Sequence, residues 1–572
     1  MRRLVAGYLL AAAAALPACT TVIVSQPTLE RELAAVRERE RLDAVVGRVL
    51  VFRDGLLGEA TDRGRIDREE RAEAAEQAAT LLRATLAGVH DGRLDGEGRV
   101  DRDLASFLLD AAEEDIRLAA LDESRLSALA WPADALQWLA VPGPPDAATI
   151  ARLADREGLL SPGDAVAPPP ADATPGDLRL AGRRLRQAAD LLQRRGDEAL
   201  VLDRDRGAAA RESAHAAAGK ARDLAKELEE RAKKEDHDGD GFAPPSGREE
   251  FVALLRTRHG VPESPEAIEA WGRELLAGVT ADLEALARAH WPGLTWKEAL
   301  EKARDDHPGP AAMPAEALAA AEAARDFCIE RGLVTIPEEA RLAHVEVVGD
   351  SMAKTYPFAA YSWRRAGPEG ESGRYMVSPG ATWMNEAQRL ERLRGNFRGW
   401  TRVVAPHETW PGHHLQFWYA DRYASALRRE AGTPVLVEGW GLYSEWLLEH
   451  HGHFPRPEER LSLLVMRAWR ACRVVLDVRL HCFGMPPEEG IEFLVEHAAL
   501  TRDAATAEVR RYRGSPTQPF SYAWGWREIL RLREEEVRRL GEAFDERAFH
   551  DRLLKCGPVP FPFLRRLMGY GG

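Results

Sequence analysis

The side chains best suited to chemistry in this 572-residue sequence stand in one short stretch, His407-Glu408-Thr-Trp-Pro-Gly-His413-His414. Histidine nitrogens bind transition metals, and a glutamate beside a ligand can serve as base for a metal-bound water. The chain has 16 histidines, and this stretch holds three of them beside a glutamate. The usual arrangement, HExxH, sets its two histidines four apart on one face of a helix. Here position 411 is proline, and the next histidines are 413 and 414. In a regular helix the N–H of residue 411 would bond the carbonyl of His407, and proline has no N–H to give. The helix must therefore bulge or break, with Gly412 supplying backbone freedom. A bulge absorbing two residues places His413 where the second ligand belongs. Without it, His414 shares a face with His407 but lies roughly 10 Å along the axis, too far to share one ion. His413 is the expected ligand and His414 the fallback.

The next helix offers a third ligand. Thr433-Pro434 forms a good N-cap and first-turn pair, and Glu438 follows within an apolar run. A buried carboxylate needs a partner, and a cation serves; a first-turn glutamate favoured by the helix dipole is the plainer reading. Glu445 is the fallback ligand, or a carboxylate that orients a ligand histidine. A further helix, about 458–483, carries Arg473, Asp477 and His481 along one face. Its other positions are apolar on several sides, which favours burial over a solvent-facing ladder. His481 or Arg473 could then bind a substrate carboxylate or the oxyanion of the transition state.

The elements that position these groups are mainly helical, since Ala, Leu, Arg and Glu dominate the composition. Amphipathic helices are expected at 29–48, 64–88, 177–194, 206–234 and 264–289. Strand signals at 343–348 and 373–378 predict a small β-element near 343–380, and the second strand could align an extended peptide along a sheet edge. Asp236 to Gly241 begins like a calcium-binding loop, but its twelfth position is Gly247 and prolines fill 244 and 245; a solvated acidic loop is the better reading. A net charge of −14 argues against nucleic acid as partner. At the N-terminus, Arg2 and Arg3 lead into an apolar run and then Leu16-Pro17-Ala18-Cys19. This predicts a lipoprotein signal peptide over 1–18, acylation of Cys19 and a tether over 19–28, with the protein exported and lipid-anchored on the periplasmic side or cell surface. The run is too short for a stable membrane span, and five cysteines in so long a chain do not make a disulfide scaffold.

The blocks HETWPGHHLQ (407–416), EGWGLYSE (438–445), RVVLDVRLH (473–481) and PTQPFSYAWGWREILRLR (516–533) resemble the bacterial family called "domain of unknown function 885", placed among the HExxH-type (gluzincin) metallopeptidases. The resemblance covers about 30 to 570. It implies a mainly α, multi-helical, two-lobed fold with a central cleft: a helical N-terminal lobe (29–330) and a catalytic metal-binding lobe (331–572). It also implies a Zn2+ ion on His407, His413 and Glu438, Glu408 as general base, and Tyr522 as an oxyanion donor. Trp524 and Trp526 depart from the commonest family form and point to an altered substrate pocket. The expected activity is zinc-dependent cleavage of short peptides, as an oligopeptidase or carboxypeptidase. The alternatives are hydrolysis of a non-peptide amide or ester, or a non-catalytic binding lipoprotein with a degenerate site.

Overall fold

A computed structural model describes residues 34–49, 79–121, 192–193, 204–235, 242–243, 245–341, 344–348, 359–367 and 370–570. The expected signal peptide and tether, Cys19, nearly all of the helix expected at 177–194 and the acidic stretch 236–241 lie outside the described residues. Residues 34–49 and 79–87 are helical. The labelled elements are α1 (Gly96–Leu121), α2 (Arg204–Glu235), α3 (Arg248–His259), α4 (Pro265–His290), α5 (Trp296–Ala303) and α6 (Met313–Arg331), then β1 (His344–Val347), β2 (Ala359–Gly367) and β3 (Gly370–Val377). After the sheet come α7 (Glu386–Gly395), α8 (Arg398–Glu408), α9 (His413–Tyr423), α10 (Ala426–Glu430), α11 (Pro434–His450) and α12 (Pro457–Cys482). The chain finishes with α13 (Pro487–Ala498), α14 (Arg502–Arg513), α15 (Ser521–Leu540), α16 (Glu546–Lys555) and α17 (Phe561–Leu567). The described residues are thus mainly helical with one small sheet.

α12 is buried on nearly every side, as a helix must be when it is apolar all round. It packs against α4 and α8. Its crossing with α4 is close because Gly272 faces Val474; a Cβ at 272 would stand 2.8 Å from a Val474 methyl. α11 and α15 also pack closely, and at their crossing the backbones themselves touch. A Cβ on Gly525 would fall 1.7 Å from the Val435 carbonyl oxygen, and one on Gly439 would fall 2.5 Å from the Gly525 Cα. Glycine inside a helix costs about 1 kcal/mol relative to alanine, and here the cost is offset by an approach no other residue permits.

Side chains from both sides of residue 331 share the core. Leu104, Phe251 and Cys328 join Trp440, Phe520 and Leu564 in one cluster. Leu283 and Leu300 join Leu464, Leu476, Leu494 and Tyr512 in a second. The sheet has the order β1-β3-β2, with β1 parallel and β2 antiparallel to β3. Sequence reading found β1 and most of β3 but missed β2, whose adjacent arginines (Arg364 and Arg365) obscure the alternation. β3 is the central strand, and both its edges are taken. It therefore cannot accept a peptide by edge addition, a correction to the expectation for 373–378. Among the described residues no helix is long and apolar enough to cross a membrane.

Candidate metal centre

The chain between the two candidate histidine ligands breaks its helix rather than bulging. α8 stops at Glu408, and Thr409 returns both its N–H (2.9 Å) and its hydroxyl (2.5 Å) to the Ala405 carbonyl. The Trp410–Pro411 bond is cis, and α9 starts afresh at His413. Gly412 donates its N–H to the Pro406 carbonyl at 3.1 Å. A Cβ at 412 would lie 1.8 Å from the His407 carbonyl oxygen, so only glycine fits. Two indoles hold the connection: Trp410 Nε1–H donates to the Ala340 carbonyl (2.6 Å), and Trp440 Nε1–H to that of Pro411 (2.8 Å). The predicted bulge is thus replaced by two separate helices.

This break brings His413 back over His407. Their rings meet edge to face with centroids 4.8 Å apart. One donor atom each from His407, His413 and Glu438 lies within 4.8 Å of the others. Glu438 Oε2 stands 3.9 Å from His407 Nε2 and 3.5 Å from His413 Nε2. Both rings are oriented from behind. His407 Nδ1–H donates to Glu445 Oε1 at 2.8 Å. His413 Nδ1–H faces Gln416 Oε1 at 3.3 Å, while the Gln416 amide donates to the Leu436 carbonyl. Each Nε2 is therefore turned toward the carboxylate. Two imidazole nitrogens and a carboxylate oxygen suit zinc, and tetrahedral ligands at about 2.0–2.1 Å would stand about 3.3–3.4 Å from each other. The donor set fits zinc with a small inward movement.

His414 is elsewhere. Its Nε2–H donates to the Ala340 carbonyl (3.2 Å), and its Nδ1 accepts from the Tyr361 hydroxyl (2.8 Å). Trp410 and Trp363 pack on its ring edge to face, and Gly373 of β3 approaches so near that a Cβ would meet Nδ1 at 2.4 Å. Both nitrogens are occupied away from the cluster, so the fallback ligand is excluded. Glu445 likewise orients His407 instead of joining the cluster.

The electrostatics favour a positive charge at this place. Burial alone would depress the His413 imidazolium, yet Glu438 and Glu408 beside it hold it up at about 9. Burial alone would raise Glu438, yet His413 and His407 hold it at about 2. A metal cation would compete with the proton held there.

Residues 53–568 match the family described as "Bacterial protein of unknown function (DUF885)". The chain belongs to the DUF885 family. Two solved structures share its fold, each described as a "putative lipoprotein". The one from Shewanella oneidensis, whose function is unknown, has 18% identity and a TM-score of 0.73, covering 94% of this chain and 99% of its own. The one from Colwellia psychrerythraea has 17% identity and a TM-score of 0.67, with the same coverages. No curated protein matches the sequence.

The remaining expected site residues of this DUF885 chain divide into two groups. Glu408 and Tyr522 are within electrostatic reach of Glu438 in the cluster. Glu408 is half-buried at the end of α8; burial raises its carboxyl, the neighbouring histidines work against that, and Glu438 adds to it. Tyr522 on α15 feels Glu438 across the glycine crossing. Its oxygen accepts from the Gln518 amide at 3.3 Å. Arg473 and His481 are held by hydrogen bonds to other elements, although the Arg473 guanidinium also helps lower Glu438. Arg473 donates to the Tyr512 hydroxyl and to Glu508, both at 3.2 Å. Its guanidinium also covers the rings of Trp469 and Tyr522. His481 is bonded through Nδ1 to the Ser246 N–H (3.0 Å) and through Nε2 to the Tyr512 carbonyl (3.1 Å). Between them Asp477 accepts the N–H groups of Thr517 and Phe520. The stripe is buried as expected, but it anchors α14 and the 514–520 loop, so its histidine has no nitrogen left for a substrate.

Sequence reading missed the groups that brace the cluster. Gln416 gave no signal beyond standing three residues after His413. Gly441 is the floor under His407: a Cβ there would meet the imidazole at 2.4 Å from Cε1 and 2.7 Å from Nε2. The two glycines of EGWG inside a helix were the available clue, one serving the helix crossing and the other the ligand. Arg470, which donates to Glu445 at 3.3 Å, was hidden in an apolar helix.

Proposed function

We propose that this protein is a zinc-dependent hydrolase that cleaves the peptide bonds of short peptides, with a gluzincin-like arrangement of two lobes about a central cleft. The observation that carries this reading is the convergence of His407, His413 and Glu438, with Glu408 and Tyr522 coupled electrostatically to Glu438. A zinc ion held by those three ligands would supply Lewis acidity and a water acidic enough to act near neutral pH. Glu408 takes a proton from the attacking water and passes it to the departing amine. Tyr522 donates its hydroxyl to the carbonyl oxygen as negative charge develops there. Glu445 and Gln416 hold the histidine rings, and Gly441 sets how far His407 can retreat.

Glu408→Gln tests the assignment. The variant should retain zinc at the wild-type ratio, measured by metal analysis, while hydrolysis of a short-peptide panel falls at least about 100-fold. Retained hydrolysis would remove Glu408 as the base.

The same reading includes export as a lipoprotein anchored through Cys19, supported by the Leu16-Pro17-Ala18-Cys19 sequence and by the description of both structural neighbours. Cys19→Ala should move the protein from the membrane fraction to the soluble one.

A further inference from the structure

The Gln518 side chain links α14 to the hydroxyl of Tyr522. The Arg511 guanidinium donates to Gln518 Oε1 at 2.7 Å, and the Gln518 amide donates through Nε2–H to the Tyr522 oxygen at 3.3 Å. The first bond settles the direction of the second. A guanidinium only donates, so the amide edge facing Arg511 must be the carbonyl, and the edge left for Tyr522 must be the NH2. The Tyr522 oxygen is then the acceptor, and its own O–H proton is not used in that bond.

Both neighbours of the amide are pinned. Glu508 accepts from Arg511 at 2.9 Å and from Arg473 at 3.2 Å. One carboxylate thus fixes the guanidinium that orients Gln518 and the guanidinium that lies over the Tyr522 ring at 4.6 Å. The preceding residue, Thr517, has φ 67°, a left-handed conformation that a β-branched residue keeps only where its surroundings impose it. Two contacts impose it. The Thr517 N–H donates to Asp477 Oδ1 at 3.2 Å, and its hydroxyl oxygen meets His259 Nε2 at 2.9 Å. That hydroxyl gives its proton to the Pro516 carbonyl at 2.6 Å, so it accepts from Nε2–H, and His259 Nδ1 accepts from the Thr433 hydroxyl at 2.9 Å. Thr433 caps α11, the helix that carries Glu438. The segment presenting Gln518 is therefore tied to the helix of a cluster carboxylate as well as to α12 and α14.

We infer that Gln518 is a positioning residue: by occupying the Tyr522 oxygen as an acceptor, it commits the Tyr522 hydroxyl to donating toward the substrate's carbonyl oxygen. This rests on the hydrolase reading above and adds the group that sets the direction of its oxyanion donor. A hydroxyl whose polarity is fixed before substrate arrives needs no reorientation as charge develops, which is the condition for strong electrostatic stabilisation.

Gln518→Glu is the discriminating variant. It is nearly isosteric and still accepts from Arg511, but it offers Tyr522 a carboxylate oxygen, which cannot donate, so the O–H must turn inward. With the zinc-loaded full chain and a short-peptide substrate, kcat should fall about 10–100-fold, toward the loss of an oxyanion donor, with KM little changed and zinc retained. Tyr522→Phe should lose a similar amount, and the double variant no more than Tyr522→Phe alone. Gln518→Met removes the bond without supplying a competing acceptor and should lose less than about 10-fold. A merely structural role predicts the reverse: the Met variant worse than the Glu variant, which keeps the Arg511 pair, and losses that add to that of Tyr522→Phe. Either result overturns the inference. Ultraviolet resonance Raman reads the hydroxyl without activity, after subtraction of the Tyr522→Phe spectrum. The wild type should report an accepting hydroxyl, Gln518→Met should lose that acceptance, and Gln518→Glu should report a strong donor. A tyrosine signal unchanged in Gln518→Met overturns the inference even if Gln518→Glu fails to fold. The expected Raman changes in a chain that cleaves no peptide would uphold the polarity that Gln518 imposes and instead remove the hydrolase reading.

Discussion

Gly441→Ala is a small change with a large expected consequence. The added methyl would start 2.4 Å from His407 Cε1, 2.7 Å from Nε2 and 2.9 Å from Nδ1, where ordinary contact begins near 3.4 Å. The imidazole must therefore retreat by about 1 Å, several times the tolerance of about 0.2 Å in a metal–ligand distance. It has little room to do so, because Glu445 holds Nδ1 at 2.8 Å. Overpacking of this kind costs about 1–3 kcal/mol. If that cost falls on the bound geometry, zinc affinity drops by about 5- to 150-fold. Helix propensity acts in the other direction, returning about 1 kcal/mol to overall stability. Gly278→Ala provides the control: it lies in α4, is exposed, and has nothing within 4 Å of its Cβ position. That variant should gain about 0.5–1 kcal/mol and leave zinc affinity unchanged. Competition with a chromophoric chelator reads affinity, and urea unfolding of the metal-free proteins reads stability. If Gly441→Ala binds zinc like the wild type and is stabilised as much as Gly278→Ala, His407 is not held against residue 441 and the geometry described here is wrong.

Three further outcomes follow from the same contacts. His413→Gln should lose stoichiometric zinc; His414→Phe should keep it while losing about 1–3 kcal/mol of stability, because the Tyr361 hydroxyl and Ala340 carbonyl lose a buried partner. Metal analysis giving the reverse pattern would exchange the two assignments. Glu445→Gln should weaken zinc binding about 10–100-fold by loosening the orientation of His407, and should destabilise the chain by about 3–5 kcal/mol because the buried Arg470 loses its counter-charge; unchanged values in the chelator and urea assays would remove Glu445 from its supporting role. Asp477 is pushed up to about 8, chiefly by burial, although the Phe520 and Thr517 N–H groups work against it. A raised folded-state value means its contribution is complete below about pH 4 and is lost as pH rises toward 8. Urea unfolding across that range should show the wild type losing stability relative to Asp477→Asn, and parallel profiles would contradict the burial argument.

What could be read along the chain was whatever depends on near neighbours. Residue types marked the candidate metal site, Pro411 forbade a continuous helix through the motif, and Thr433-Pro434 started the helix that carries Glu438. Local alternation revealed two of the three strands. The choice between His413 and His414 could only be narrowed by spacing, because both follow the break. It was decided by Ala340 and Tyr361, which occupy both nitrogens of His414, and those residues lie 74 and 53 positions away in the chain. The stripe on α12 was read correctly as buried, but the partners it meets were not legible. Burial follows from the apolar pattern of one helix, whereas the partners of Arg473 and His481 come from α14 and from the chain before α3. The centre of the sheet went to β3 because β2, the strand that was missed, pairs with it. The same distinction applies to Gly441 and Arg470. Sequence alone determined that a histidine–glutamate centre was available and that its helix had to break. Only the packing of α8, α9, α11, α12 and α15 decided which side chains meet there, since spare hydrogen-bonding capacity and steric room exist only once separate segments have closed around a point.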